Sequence, residues 1–325
     1  MKVKITLLIT AIASSVFAQE TLTREDALQL ALQHNYDIRV AKKSVETAKS
    51  NASVYNSGFL PTATGSAGAN ITYNEGENRT VQGDLAFDAA EAYSYNASVG
   101  VNYLIFNGLG RYYNFKQLKE QHNLTELQAK QIIENTVLSL SRTYFEIAQL
   151  AENTRILNDA LVVSKKRLQR ANYNYEYGQG TQLDILNAEV DVNNDSINLI
   201  NTSQQLANAK RNLNLILGRD LNTDFAVDTN VVFELGLSLE ELNQKALERN
   251  ILIEQTKSQL RNSEFALKAS RSGWFPSLSA NAAYAFQGQE NPNGAFLTGN
   301  ESYGPQAGLS LSWNIFDGGT TKTRQ

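Results

Sequence analysis

The chain has 325 residues, no cysteine, two histidines, four prolines and a formal net charge of -4. So few cysteines and histidines leave no Cys/His zinc site, no cysteine nucleophile and no implied cofactor. Lysines and arginines scattered through a mildly acidic chain exclude a nucleic-acid partner, and the composition does not fit a pair of ordinary enzymatic domains.

At the N-terminus, Lys2 and Lys4 precede an apolar run from Ile5 to Val16 that ends in "VFAQE". This pattern predicts a secretory signal peptide over residues 1–18, cut after Ala18. The run falls short of the roughly 20 apolar residues of a spanning helix, and no cysteine follows it to carry a lipid. No other stretch is apolar enough to be a transmembrane helix, so a place in a membrane would require β-structure.

Thr23 then reads as an N-cap with Asp26 as its capping-box partner. Apolar and small residues at Ala27, Leu30, Ala31, Val40, Ala41, Val45 and Ala48 keep helical spacing, which predicts one helix from about Arg24 to Ser57. Gly58 and Pro61 end it. The period changes to two immediately afterwards. Ala63, Gly65, Ala67, Ala69, Ile71 and Tyr73 alternate with small polar residues, and the alternation returns at Tyr95, Ala97, Val99, Val101, Tyr103 and Ile105. Two strands are expected, joined by a polar loop from Asn74 to Ser94. Their alternation suits a soluble sheet covered on one side as well as a membrane barrel, but their length matches a tilted transmembrane strand of roughly 9–11 residues.

From Gly108 to Leu217 the chain has no proline and, after the opening "NGLGR", only Gly178 and Gly180. A helical hairpin is predicted, with a first arm from about Gly108 to Tyr177, roughly 100 Å at about 1.5 Å per residue, and a second from about Thr181 to Leu217. Ile133, Val137, Leu140, Tyr144, Ile147 and Ala151 form a coiled-coil seam on the first arm. Leu183, Leu186, Val190, Ile197 and Ile200 form one on the second, interrupted by Asn193. A short β-rich piece is expected at Val231–Phe233.

The chain then repeats itself. "LSLEELNQKALERN" from Leu237 aligns with "LTREDALQLALQHN" from Leu22, pairing Asn250 with Asn35, Gly273 with Gly58 and Pro276 with Pro61. A second pair of strands follows at Leu278–Phe286 and Ala307–Ile315, and the exit "NIFDGG" matches "LIFNGLG". The repeats run over 19–236 and 237–325. The two shorter helices together match the long arm, so they are expected to stack end to end beside it. Four strands are too few to close a barrel, for which about eight is the smallest number, so several chains would have to share one.

The signal peptide, the duplicated helix-strand-strand-helix unit, the "GFLP" and "GWFP" helix-to-strand switches, the "FNG" and "FDGG" strand-to-helix switches and "NYEYGQGTQLDILNA" together resemble the TolC family of outer-membrane efflux proteins. The resemblance implies an internally duplicated α+β membrane protein. Four strands per chain would close a 12-stranded barrel in a homotrimer, continued by an α-helical coiled-coil tunnel in the periplasm. It further implies a periplasmic adaptor, an inner-membrane transporter and outer-membrane lipid as partners. The switch residues are Gly58, Pro61, Phe106, Gly108, Gly273, Pro276, Phe316 and Gly318. The lipid-facing aromatics are Tyr73, Tyr95, Tyr103, Tyr284, Phe286 and Trp313. By resemblance, Tyr175, Gly178, Gly180, Thr181 and Asp184 form the helical tip that meets the adaptor, although glycine and capping chemistry alone would also account for them.

The chain departs from the family at Gln325, just where a second helical hairpin is expected. The implied function is a passive export conduit in a tripartite efflux or type I secretion system, and not an enzyme. The alternative is a non-conducting envelope coiled-coil protein or an inactive fragment of such a channel. Carboxylates such as Glu240, Glu241, Asp191 and Asp195 read as solvated helix faces, and His34 and His122 as solvent-facing.

Overall fold

The computed structural model describes residues 21–81, 83–229, 236, 238–290 and 298–323, with the backbone alone at 74–80 and 84–90. The signal peptide and Val231–Phe233 lie outside the described residues. In order, the elements are β1 (Thr21–Leu22), α1 (Arg24–His34), α2 (Tyr36–Asn51), β2 (Thr62–Thr80), β3 (Gly83–Asn107), α3 (Gly110–Glu176), α4 (Gln182–Leu217), β4 (Ala226–Val227), α5 (Leu239–Arg249), α6 (Ile251–Ser270), β5 (Ser277–Glu290), β6 (Gly299–Ser312) and α7 (Thr320–Thr323). Short 3₁₀ turns at Val54–Asn56 and Arg271–Trp274 precede β2 and β5. No helix among the described residues is long and apolar enough to cross a membrane. Two compact units, each taking segments from both repeats, divide the chain at Lys43/Ser44, Leu127/Gln128 and Arg249/Asn250.

The first unit is built around the hairpin of α3 and α4. Leu140, Tyr144 and Ile147 of α3 pack against Ala209, Leu213 and Leu217 of α4, with Leu22, Ala27, Ala31 and Phe225 completing one buried cluster. The Tyr144 hydroxyl donates to the Leu22 carbonyl at 3.0 Å and accepts from the Asp228 N–H at 3.2 Å, tying the β1–β4 parallel pair to α3. Burial pushes this phenol's pKa up, keeping it a neutral donor. Tyr144→Phe strands a buried carbonyl and an N–H together. It is expected to cost about 1–3 kcal/mol in urea unfolding followed by far-UV circular dichroism.

Three expectations for this unit change. The first helix is broken at Asn35, whose backbone is extended (φ -56°, ψ 129°). The Asn35 carboxamide explains the break, because Oδ1 accepts from the Ile38 N–H at 3.0 Å while Nδ2 donates to the Ile216 carbonyl at 2.8 Å. It caps α2 and docks the break on the end of α4. Gly218 turns left-handed there (φ 67°), with the His34 carbonyl 2.4 Å from where a Cβ would stand. The end of α4 thus abuts the start of α2, whereas Ala27 and Ala31 of α1 share a buried cluster with Ala209 and Leu213 of α4, so α1 lies beside α4 and the expected end-to-end stacking does not hold for the whole of 24–57.

The second correction concerns the seam of the second arm. On α3, Leu140, Tyr144 and Ile147 are buried, and Ile133, Val137 and Ala151 half-buried. On α4, however, Leu183, Leu186, Val190, Ile197 and Ile200 are each more than half exposed, and Asn193 is exposed with them. The face turned to α3 is a neighbouring stripe in which Asp195 accepts from the Ser164 hydroxyl and Ala209 and Leu213 are buried. The third correction follows: Asp195 is a half-buried partner in the hairpin rather than part of a solvated face.

In the second unit the break recurs, since Asn250 caps α6 through its carboxamide oxygen, which accepts from the N–H groups of Leu252 and Ile253. A polar cluster joins α6 to the first turns of α3. Glu120 Oε1 accepts from Ser258 Oγ at 2.5 Å, Arg261 Nη2 at 2.9 Å and Asn123 Nδ2 at 3.0 Å. His122 is half-buried beside Glu126 and not solvent-facing; among the described residues no cluster could hold a metal.

Burial works to raise the Glu120 carboxyl pKa, but hydrogen bonds from Arg261, Ser258 and Asn123 outweigh it and hold the group below the usual glutamate value. A folded value below the unfolded one gives stability that is complete above the ordinary glutamate pKa of about 4.3 and is lost as pH falls through the folded value. Glu120→Gln is therefore expected to lose about 1–2 kcal/mol at neutral pH, the half-exposed Arg261 keeping the figure low. It should also flatten the acid limb of stability measured by urea unfolding across a pH series.

The sheet of the second unit is antiparallel in the order β2-β3-β5-β6. Here the expected loop from Asn74 to Ser94 is instead strand. β2 and β3 run for 19 and 25 residues and stay paired from Thr62↔Asn102 to Thr80↔Gly83, with one bulge at Asn74/Gly76. Backbone pairing satisfies these peptide groups whatever the polarity of the side chains. At the other end, β6 stops at Ser312, so Trp313 and Ile315 lie beyond the strand.

Candidate functional site

Residues directly opposed in a sheet share a face. Gly65↔Val99, Val99↔Tyr284 and Tyr284↔Pro305 form one row, Ala97↔Phe286 and Phe286↔Tyr303 another, and Tyr103↔Ala280 and Ala280↔Leu309 a third. The aromatic and most branched apolar positions of the four strands therefore form one continuous face, with Tyr73, Tyr103 and Tyr284 exposed on it and Tyr95 and Phe286 half-buried. The Tyr95 ring lies over Gly288, where a Cβ would come within 2.2 Å of it, and stacks beside Phe286 at 6.3 Å. The opposite face carries Thr64, Ser66, Ser98, Asn281 and Gln306, small and uncharged. Residues 62–73, 92–107, 277–289 and 302–312 contain no Asp, Glu, Lys or Arg. The four strands thus share a charge-free band that is apolar on one side and hydroxyl- and amide-lined on the other.

The strand-to-helix switches are built alike in both repeats. Asn107 Oδ1 accepts from the Arg111 N–H at 3.2 Å, and Asp317 Oδ2 accepts from the Thr321 N–H at 2.7 Å. Between cap and helix the chain takes two left-handed residues, Gly108 (φ 62°) and Leu109 (φ 66°) in the first case, Gly318 (φ 68°) and Gly319 (φ 86°) in the second. Gly108 is doubly required, since a Cβ there would meet Phe275 at 2.6 Å. Its neighbour Phe106 is 39% exposed, whereas Phe316 is 86% exposed, so the two aromatic partners are not equivalent. The helix-to-strand switches also differ, because Gly58 is left-handed (φ 72°) while Gly273 sits in a 3₁₀ turn against Thr321. Pro61 and Pro276 each directly precede a strand.

Arg111 is the switch residue that motif spacing misses. Its Nη1 donates to the carbonyls of Gly58 at 2.9 Å and Leu104 at 2.6 Å, and its guanidinium lies 4.7 Å from the centre of the Phe59 ring. It therefore clamps the entry and exit of the first strand pair to each other. Only its place after "NGLG" in the sequence hinted at it.

In the first unit, α3 ends at Gly178 (φ 72°), with the Gln179 N–H donating to the Asn174 carbonyl at 2.7 Å and the Gly178 N–H to the Tyr175 carbonyl at 3.0 Å. Gly180 packs on Asn174 and Tyr175, leaving about 3 Å for any added Cβ. Thr181 and Asp184 then form a reciprocal capping box at the start of α4. Hydrogen bonds from the Thr181 hydroxyl and N–H hold the Asp184 carboxyl below its usual value. Tyr175 and Tyr177 are exposed, at 48% and 78%. The five predicted tip residues are thus brought together in one turn.

A charge-free, two-faced antiparallel sheet joined through capped switches to helices tens of residues long defines an outer-membrane channel type of fold. A family model described as outer membrane efflux protein matches residues 27–219, and the chain belongs to that family. The probable outer membrane lipoprotein SilC of Salmonella typhimurium is 23% identical over 251 residues, covering 76% of this chain and 52% of SilC. Outer membrane protein TolC of Vibrio cholerae is 20% identical over 187 residues, covering 57% and 43%. The chain therefore spans about half the length of the curated relatives it matches. Among solved structures, the Campylobacter jejuni CmeC outer membrane channel aligns with a TM-score of 0.73 at 16% identity, over 93% of this chain and 63% of that one. CusC aligns with a TM-score of 0.66 at 17% identity, over 93% and 67%. At these identities the structural likeness speaks to the fold.

Proposed function

We propose that the protein is a passive export conduit of the bacterial outer membrane, working with an inner-membrane transporter through a periplasmic adaptor, and that it catalyses no reaction. The observation that carries this reading is the charge-free band, whose register collects the aromatic and most branched apolar side chains on one face and the hydroxyl and amide side chains on the other, where only Ala92, Leu104, Ala283 and Ala285 break the polar pattern. Lipid on the apolar side and water on the polar side satisfy both faces. The outer edges of β2 and β6 pair with no described strand. An open edge in hydrocarbon is costly, and three copies of four strands close a 12-stranded barrel around a lumen lined by Thr64, Ser98 and Gln306.

In this reading Tyr73, Tyr95, Tyr103, Tyr284, Phe286 and Trp313 face lipid or its interfaces. Gly58, Pro61, Phe106, Gly108, Gly273, Pro276, Phe316 and Gly318 form the passage from sheet to helix. Tyr175, Gly178, Gly180, Thr181 and Asp184 meet the adaptor, and the exposed tyrosines around a rigid capped turn support that role. An N-terminal signal peptide over residues 1–18 delivers the chain to the envelope. Envelope fractionation with chemical crosslinking tests the assignment. A trimer in the outer-membrane fraction is expected, and a soluble periplasmic monomer would refute it in favour of the envelope coiled-coil protein.

A further inference from the structure

The charge-free band is bounded by opposite charges at its two ends. Away from the helices the first charged residues are all acidic: Glu75, Glu91, Glu290 and Glu301. At the helix-joined end the balance reverses. Residues 108–119 and 265–276 contain Arg111, Lys116, Lys119, Lys268 and Arg271, and no carboxylate. The nearest acids are Glu120, held by Arg261; Glu264; and Asp317, which caps α7 through the Gly319 and Thr321 N–H groups.

These cations are set among aromatic rings. Lys116 Nζ lies 4.8 Å from the centre of Tyr112 and 5.8 Å from that of Phe265, Lys119 Nζ 4.5 Å from Phe115, and Lys268 Nζ 5.9 Å from Phe265. Among the described residues none of the five forms an ion pair. Arg111 is committed to backbone carbonyls, but Lys119, Lys268 and Arg271 are exposed. Both tryptophans of the chain stand at the same level. Trp274 and Trp313 are 54% and 59% exposed, and Trp313 Nε1 donates to the Trp274 carbonyl at 3.3 Å. Amphipathic rings with long cationic side chains beside an uncharged band are the chemistry of a headgroup layer.

We propose that this rim binds phospholipids with net negative headgroups, in the leaflet that meets the helix-joined ends of the strands. The proposal rests on reading the sheet as membrane-spanning. Lys116, Lys119, Lys268 and Arg271 supply the charge, while the tryptophans and Phe275 seat the ring layer among the upper acyl carbons. Each cation near an anionic surface raises occupancy by about fivefold, and salt weakens the effect.

The tryptophans make the test direct, because they are the chain's only two. The full chain is reconstituted into vesicles in which bromine is carried on the acyl chains of either an anionic or a zwitterionic phospholipid, and tryptophan quenching is read against mole fraction. The anionic lipid is expected to reach half-maximal quenching at a mole fraction at least about fivefold lower. The preference should shrink in high salt and vanish when Lys116, Lys119, Lys268 and Arg271 are all changed to Gln. The salt dependence of the unaltered chain reads the same interaction without a variant. Equal quenching by both lipids, or a preference that survives the four substitutions, would overturn the belt and leave the membrane reading standing. No quenching by either lipid would overturn both.

Discussion

Val99→Arg is expected to abolish assembly in vesicles, while Thr64→Arg, close by on the adjacent strand, leaves assembly intact. Val99 sits midway along the charge-free part of β3, 67% exposed on the apolar face. An arginine facing lipid near the midplane of a barrel costs about 2–4 kcal/mol per chain, and three chains incur it together. Thr64 lies opposite Gly100 on the hydroxyl-lined face, where a guanidinium would stay in water. Assembly is read as a protease-resistant oligomer after reconstitution. Equal tolerance of the two substitutions would mean that neither face is in lipid and would favour a soluble sheet.

Phe225→Ala should produce the largest loss of stability in the first unit, about 3–5 kcal/mol. Phe225 is 1% exposed within the cluster formed by α1, α3 and α4, and its ring also receives the guanidinium of Arg219 at 4.7 Å and the ammonium of Lys210 at 5.5 Å. The segment that carries it is held from below by Asn214, fully buried, whose Nδ2 donates to the carbonyls of Leu221 and Thr223. These fixed backbone positions prevent collapse around the lost ring, so a cavity remains. Domains typically have about 5–15 kcal/mol in hand, so the change would unfold this unit at modest urea concentration. A midpoint shifted by less than the equivalent of about 1 kcal/mol would show that Phe225 is not part of the core.

The hairpin and the strand faces were legible because each depends on a local rule. Gly178 followed by Thr181 and Asp184 encodes a stop and a start, and the alternation at Ala63–Tyr73 and Tyr95–Tyr103 already assigns each residue to a face, whereas a bulge between Leu104 and Phe106 leaves Ile105 out of the expected row. The break at Asn35 was hidden because Ala27, Ala31, Ile38 and Ala41 all face the interior, so the apolar pattern continues across it. What breaks the helix is a contact with Ile216, remote in sequence. The face that α4 turns toward α3 is hidden in the sequence for a similar reason. That helix carries two apolar stripes, and the choice between them depends on burial of Ala209 and Leu213 against the other arm. Strand continues beyond Tyr73 through a polar stretch that alone suggests a loop, because the ladder requires only a paired partner. Arg111 illustrates the remaining gap: an arginine in the first turn of a helix is common, and its role as a clamp exists only once Gly58 and Leu104 are beside it.

Single-channel recording in planar bilayers tests the central claim most directly. Purified oligomer is predicted to give uniform conductance steps, with a lumen lined by uncharged hydroxyl and amide groups, and Thr64→Arg should alter step size without preventing insertion. Stable insertion of a trimer that passes no current would contradict the conduit.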